Sequence, residues 1–499
     1  MQLYGFLRWA RRIIALAVFT GLAYFFIAFS AKATALWSAL LGLQIVPGIL
    51  GIATGGLVTV IIVFLLTLLF GRVYCSLLCP LGIYQDIVYR IGLFLRNKKK
   101  RRTRYTKPHN TLRYSILIFV VICVAFSFVV PLVWLDPYGL FGKMATNIGR
   151  PLAYIVSGSK YDAWNLAAFL ISAVILVALT VTAFFKGRLY CNTICPVGTL
   201  LGLISRYSMF RVKIDPGSCT HCQLCSMNCK AFCIDAGTPV IDNSRCVVCL
   251  NCVSKCAKGS IRYRFAWTPK KKLPSVPEKK QQSAGTNRRA FLLAAMGTGA
   301  GAILLNRFTE KKIINIPKAM PPGAGTLERL KDTCIACHAC IAACPAHIIK
   351  PAMGAFGWQG FLLPSVSYDN GFCGFDCQKC QEVCPSGALQ LMPLEEKKRV
   401  KMGVVKLMLE NCIVEKYGTD CGACDEHCPV KAVRMTPREG SDKLFPKTTP
   451  ALCIGCGGCE FICPARPKAI VVIPLSEQRR ADAPVIDATI NIEVDGFGF

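Results

Sequence analysis

The sequence predicts a multidomain protein: a polytopic α-helical membrane domain with small α+β domains on both of its sides. Three observations carry that reading. Hydrophobic residues make up 53% of the 499 positions and gather in long apolar runs, as a bilayer-embedded part requires. The net charge of +31 is concentrated in basic stretches between such runs, and these mark cytoplasmic loops. Most of the 30 cysteines fall at ligand spacing, which in so long a chain points to metal rather than a disulfide framework. The basic excess therefore serves topology, and no nucleic acid is expected as a partner.

The membrane domain is expected over residues 1–210. Arg8, Arg11 and Arg12 precede an apolar span at 13–30, and further spans are expected at 49–70, 114–135 and 166–185. The stretch before the second span, with Trp37 and Pro47, reads as an outer interfacial or re-entrant segment. Arg96, Lys98, Lys99, Lys100, Arg101, Arg102 and Arg104 mark an inner loop. The chain then returns to the cytoplasm at Lys186, which leaves the loop holding Asp136, Tyr138 and Trp164 outside.

An internal repeat lies within this domain. Residues 71–90 and 187–206 share eight of twenty identities, each with a CxxxCP core. Both copies follow an outward-to-inward span, so they face each other across a pseudo-two-fold axis at one membrane face. Pro80 and Pro196 suit the first turn of a following helix, which puts Cys79 and Cys195 at helix N-termini that favour thiolate. Cys75, Cys79, Cys191 and Cys195 are thus a candidate metal, cluster or dithiol centre. Arg72, Tyr74, Arg188 and Tyr190 are candidate neighbours for a quinone head group. Cys123 and Cys233 have no spacing partner and read as core.

Residues 211–266 form a cysteine-rich cytoplasmic domain. Cys219, Cys222, Cys225 and Cys229 make CxxCxxCxxxC, and Cys246, Cys249, Cys252 and Cys256 repeat it. This is the bacterial two-cluster ferredoxin spacing, in which the fourth cysteine crosses to the other 4Fe-4S cluster. The expected sets are Cys219, Cys222 and Cys225 with Cys256, and Cys246, Cys249 and Cys252 with Cys229. Zinc sites draw instead on paired CxxC or Cys/His units.

A basic linker at 267–287 contains Lys270, Lys271, Lys272, Lys279 and Lys280. Arg288 and Arg289 then precede a short apolar run, so residues 288–306 resemble a twin-arginine export signal that stays as an anchor. After a linker at 307–325, a periplasmic domain is expected over 326–475, followed by a tail at 476–499. Its four motifs are Cys334, Cys337, Cys340 and Cys344; Cys373, Cys377, Cys380 and Cys384; Cys412, Cys421, Cys424 and Cys428; and Cys453, Cys456, Cys459 and Cys463. Spacing alone leaves open which of these exchange their fourth cysteine. The six motifs use 24 of the 30 cysteines and imply six 4Fe-4S clusters.

The five histidines are His109, His221, His338, His347 and His427, and none lies in an expected span. No membrane haem is therefore expected from this chain, and no covalent one either, because Cys334 to His338 reads as part of a CxxCHxxC ferredoxin motif. No phosphate loop or dinucleotide fingerprint stands out.

On these motifs, residues 1–266 resemble the NapH-type membrane ferredoxin, and residues 285–475 are similar to the NapG-type polyferredoxin. The resemblance implies a fused quinol dehydrogenase of the inner membrane. It would feed electrons from membrane quinol to a periplasmic nitrate reductase, a related reductase or a cytochrome c partner. The membrane part also resembles FixG-type factors, which implies metal handling or oxidase maturation as the alternative.

Overall fold

The computed structural model describes residues 2–28, 40–52, 56–96, 105–126, 128–158, 165–266 and 318–482. The expected basic linker, the twin-arginine-like segment, Trp37, Trp164, the basic run after Arg96 and most of the tail lie outside the described residues.

The first part is helical. Its elements are α1 (Gln2–Ile27), α2 (Ile45–Leu50), α3 (Gly56–Phe70), α4 (Tyr74–Leu77), α5 (Pro80–Leu95) and α6 (Asn110–Ala125), followed by α7 (Val130–Leu135), α8 (Pro137–Met144), α9 (Arg150–Val156), α10 (Leu166–Lys186), α11 (Leu189–Thr193) and α12 (Pro196–Ser205). Two stretches, Tyr4–Ile27 and Leu166–Lys186, are long and apolar enough to cross a bilayer. Val174, Val177 and Val181 on α10, like Ile61, Ile62 and Leu65 on α3, are exposed.

Two expected spans differ from the structure. The second is divided, because α2 ends at Leu50 and α3 starts at Gly56. The third stops at Ala125, and a separate helix restarts at Val130 with Pro131 in its first turn. Proline fits a helix start but not a helix interior, so the apolar run cannot continue through it. From Val130 to Val156 the chain instead folds as a string of short helices. The expected outer loop is therefore structured, with Asp136 and Tyr138 each 1% exposed.

The repeat is visible in the packing. In each copy a long helix leads to a short one, an extended cysteine and a proline-started helix: α3, α4, Cys79, α5 and then α10, α11, Cys195, α12. The copies interlock, since α5 packs on α10 while α12 packs on α3.

At one end of α1 sits residues 210–266, a small domain with β1 (Phe210–Ile214) antiparallel to β4 (Ile261–Phe265) and a hairpin of β2 (Ile234–Asp235) and β3 (Val240–Ile241). Tyr4 Oη donates to the Tyr263 carbonyl at 2.9 Å and Tyr263 Oη to that of Phe70 at 3.0 Å, fixing it to the helices. At the other end sits residues 318–482, with three more antiparallel pairs: β5 (Ile349–Pro351) with β6 (Pro364–Val366), β7 (Val400–Leu407) with β10 (Ile470–Arg480), and β8 (Val433–Arg438) with β9 (Ser441–Thr448). It docks on α7 to α9. Trp134 stacks on Phe361 at 6.1 Å, and the buried Arg150 donates to the Ala342 carbonyl. The 26 residues of α1 separate the two cysteine-rich domains; at 1.5 Å per residue that is roughly 39 Å, longer than the ~30 Å hydrocarbon layer.

Candidate iron-sulfur and membrane thiol sites

The cysteine sets are built by crossing. In the inner domain Cys229 leaves its own motif and faces Cys246, Cys249 and Cys252, while Cys225 faces Cys219 and Cys222. Cys256 packs against the same core. The outer domain resolves what spacing left open. Cys384 faces Cys334, Cys337 and Cys340, and in return Cys344 faces Cys373, Cys377 and Cys380. Cys428 likewise joins Cys453, Cys456 and Cys459. Cys412, Cys421, Cys424 and Cys463 line one cavity of about 30 Å³. The first motif thus exchanges with the second, and the third with the fourth.

Local backbone geometry prepares these loops for an anionic ligand shell. The residues on either side of the second cysteine are left-handed in four motifs: His221 and Gln223, Val248 and Leu250, Ala336 and His338, Gly455 and Gly457. Successive turns of that kind point backbone N–H groups inward as a nest. Amides of Ala336, Leu389, Ala432 and Gly455 donate to Cys334, Cys384, Cys428 and Cys453 Sγ at 3.2 to 3.4 Å. A second turn follows the fourth cysteine. Phe232, Gly259, His347, Gly387 and Lys431, each three residues on, are left-handed and donate back to that cysteine's carbonyl.

The donor set fits 4Fe-4S clusters. Burial, helped by neighbouring cysteines, pushes the Cys337 and Cys373 thiols up to about 12 and Cys456 to about 11. Thiolates so placed repel one another in a low dielectric; a cationic iron-sulfide core among them offsets both penalties.

The four membrane cysteines also converge. Cys75, Cys79, Cys191 and Cys195 are all at most 4% exposed and lie within electrostatic reach of one another. Cys79 and Cys195 are the extended N-cap residues of α5 and α12, and the Gly198 amide donates to Cys195 Sγ at 3.3 Å. Burial opposes the thiolate that the helix N-termini favour, so a charged form here needs a cation. The repeats lock each other. Arg72 donates to the Cys191 carbonyl at 3.3 Å and Arg188 to the Cys75 carbonyl at 2.8 Å. Glycine is required at Gly82 and Gly198, where a Cβ would overlap those same two carbonyls.

The expected quinone neighbours surround the thiol group. Arg188 forms a two-pronged ion pair with Asp86, which Lys230 joins. Arg72 donates to Asn192 Oδ1 and to the Ser244 carbonyl. Tyr74 Oη donates to Gln44 Oε1 at 2.9 Å and Tyr190 Oη to the Leu135 carbonyl at 2.8 Å. Through these bonds the four residues brace the thiol group, while the buried Arg72 Nε has no partner among the described residues.

Three contacts escaped sequence reasoning. Tyr190 reaches Leu135, the next residue Asp136 caps α8 through the amides of Tyr138 and Gly139, and Tyr138 faces Cys337. On the inner side Arg72 holds Ser244, two residues before Cys246. The buried thiols therefore lie between one inner and one outer cysteine set. Cys233 was read as plain core; it is buried, but its Sγ is 3.6 Å from Cys229 Sγ. Its position four residues after Cys229 was the available signal. Cys123 is buried in α6. His221, His338 and His427 each bond a backbone carbonyl, and burial lowers His338 to about 3, which keeps it neutral.

Crossed cysteine sets on nest-like loops define an iron-sulfur protein of the ferredoxin type. The 4Fe-4S binding domain family matches residues 52–102 and 168–215, the two segments that carry the CxxxCP repeats. The chain is 30% identical over 210 residues to an uncharacterized protein of Methanocaldococcus jannaschii, covering 42% of this chain and 70% of that protein, and it belongs to that protein's family. It is similar to the ferredoxin-type protein NapH of Escherichia coli, 27% identical over 225 residues, 43% of this chain and 70% of NapH. It is also similar to the ferredoxin-type protein NapG of Escherichia coli, 29% identical over 205 residues, 38% of this chain and 86% of NapG. No solved structure matches the chain.

Proposed function

We propose that the chain is a membrane-bound electron conduit that oxidises quinol and serves a periplasmic reductase or cytochrome c, combining NapH-like and NapG-like parts in one polypeptide. The observation that carries this reading is the line of cysteine groups: an inner set, the buried four-thiol group, then an outer set that Tyr138 joins to the helices. Quinol gives up two electrons and two protons, and bound clusters supply the one-electron carriers that split the pair. The protein's own part is to hold Cys75, Cys79, Cys191 and Cys195 together as a redox or metal centre between the two domains. Purified protein in detergent should lose visible cluster absorption on adding a menaquinol analogue under anaerobic conditions; no bleaching with several quinols would overturn the reading. The outer sets favour this function over metal handling or oxidase maturation, which would not require a four-motif outer domain.

The topology follows from the same reading. Residues 211–266 are cytoplasmic, residues 326–475 periplasmic, and the helices between cross the inner membrane four times. Reporter fusions placed after Arg264 and after Ile473 are expected to give opposite compartment signals, and equal signals would contradict it.

One observation favours a second reading of where quinol binds. A cavity of about 440 Å³ at the outer interface is lined by Arg150 and Tyr154 on α9 and by His347, Glu382, Cys344 and Cys377. Quinol there would sit directly against an outer set, and the four membrane thiols would be structural.

A further inference from the structure

We propose that the groove between α1, α5 and the inner cysteine domain binds the phosphate headgroup of an anionic phospholipid. The inference rests on the bilayer placement of the helices proposed above, and not on quinol chemistry. The groove has a volume of about 220 Å³ and carries Arg8, Arg12, Arg90, Lys230 and Lys255 against one carboxylate, Asp86. That carboxylate is already engaged by Arg188 and Lys230. Among the described residues Arg8, Arg12, Arg90 and Lys255 form no ion pair. Arg8 Nη1 donates to Ser254 Oγ at 2.6 Å, yet the buried Nε atoms of Arg8 and Arg12 have no partner. Arg12 also lies within electrostatic reach of Arg8, Arg11 and Arg90. Drawing like charges together in a partly dry groove is unfavourable unless an anion joins them.

The surroundings say which anion. Phe6, Trp9 and Ile13 on α1 and Ile91, Phe94 and Leu95 on α5 are exposed on the helices that form the groove. Asn228, Asn251 and Lys255 of the inner domain close its polar side. A ligand with a phosphate head and apolar tails satisfies both surfaces at once, whereas free phosphate would leave the apolar one bare. A basic pocket beside membrane helices on the cytoplasmic side is the setting in which anionic headgroups bind. The lipid would clamp α1 and α5 to the inner domain, since each of the three contributes a cation.

The test uses the full chain, delipidated in detergent and examined by native mass spectrometry with dioctanoyl-phosphatidylglycerol, dioctanoyl-phosphatidylcholine or inorganic phosphate. Phosphatidylglycerol should bind more tightly than phosphatidylcholine by roughly fivefold for each arginine engaged, and phosphate should compete only weakly. Arg8→Gln with Arg12→Gln and Arg90→Gln should abolish the preference, while Arg→Lys at the same positions should keep most of it. Lys255→Gln lies on the inner domain and leaves α1 and α5 untouched, so a partial loss there guards against misfolding of the triple variant. Equal affinity for the two lipids, phosphate binding as tightly as phosphatidylglycerol, or a preference that survives the triple variant would each overturn the proposal. A chain that stays in solution without detergent would instead overturn the bilayer placement.

Discussion

Cys384→Ala is expected to remove the iron centre of the first outer motif rather than that of its own. Cys384 faces Cys334, Cys337 and Cys340, whereas its sequence neighbours Cys373, Cys377 and Cys380 are completed by Cys344. A filled chain should carry roughly 24 iron atoms, and the variant about 20, since one cubane holds four. The signature lies in which centre goes. Cys344→Ala should spare the centre that Cys384→Ala removes, and the two variants should lose different signals in the electron paramagnetic resonance spectrum. If both lose the same signal, or if Cys384→Ala affects only the centre on Cys373, Cys377 and Cys380, the exchange is wrong.

Asp86→Asn should destabilise the helical part by about 3–5 kcal/mol, the cost of leaving buried charge unpaired. Among the described residues Asp86 is the only carboxylate on two buried cations, Arg188 with a fully buried side chain and Lys230 nearly so. The substitution keeps the volume and removes the charge, so packing stays constant. Arg188 also braces the Cys75 carbonyl, so the thiol group should loosen together with the fold. Denaturant unfolding in detergent measures the loss. A change under about 1 kcal/mol, the range of an exposed pair, would show that water screens this network. Combining Asp86→Asn with Lys230→Met should cost less than the sum of the two, because the neutral methionine leaves no second charge stranded.

Ligand identity was legible in the sequence because three close cysteines plus a fourth is a local pattern. The exchange between motifs was not, since it depends on how the second loop of each pair folds back over the first. Part of the turn geometry could have been read: Gly259 and Gly387 stand three residues after Cys256 and Cys384, where the structure needs a left-handed residue. His347 and Lys431 fill the same place without glycine, which hides the pattern from composition. The helical part was half legible. Hydrophobicity located the apolar runs, but Pro131 and the break before Gly56 divided two of them. The arginines illustrate the other limit. Arg72 and Arg188 were singled out correctly as a repeated pair, yet each reaches into the opposite repeat, a relation that no single-copy reading contains.

The central claim is that electrons pass through the buried thiol group. Replacing Cys79 and Cys195 with serine removes two of its four thiols while nearly preserving volume at two N-cap positions. The measurement is the rate at which a menaquinol analogue reduces the outer centres, followed by rapid-mixing absorption in a variant shown to be inserted and to hold its full iron content. The account predicts slowing by at least about tenfold, equivalent to roughly 1.4 kcal/mol in the barrier. Reduction at the unaltered rate would contradict it and place quinol at the outer cavity beside Arg150 and Tyr154.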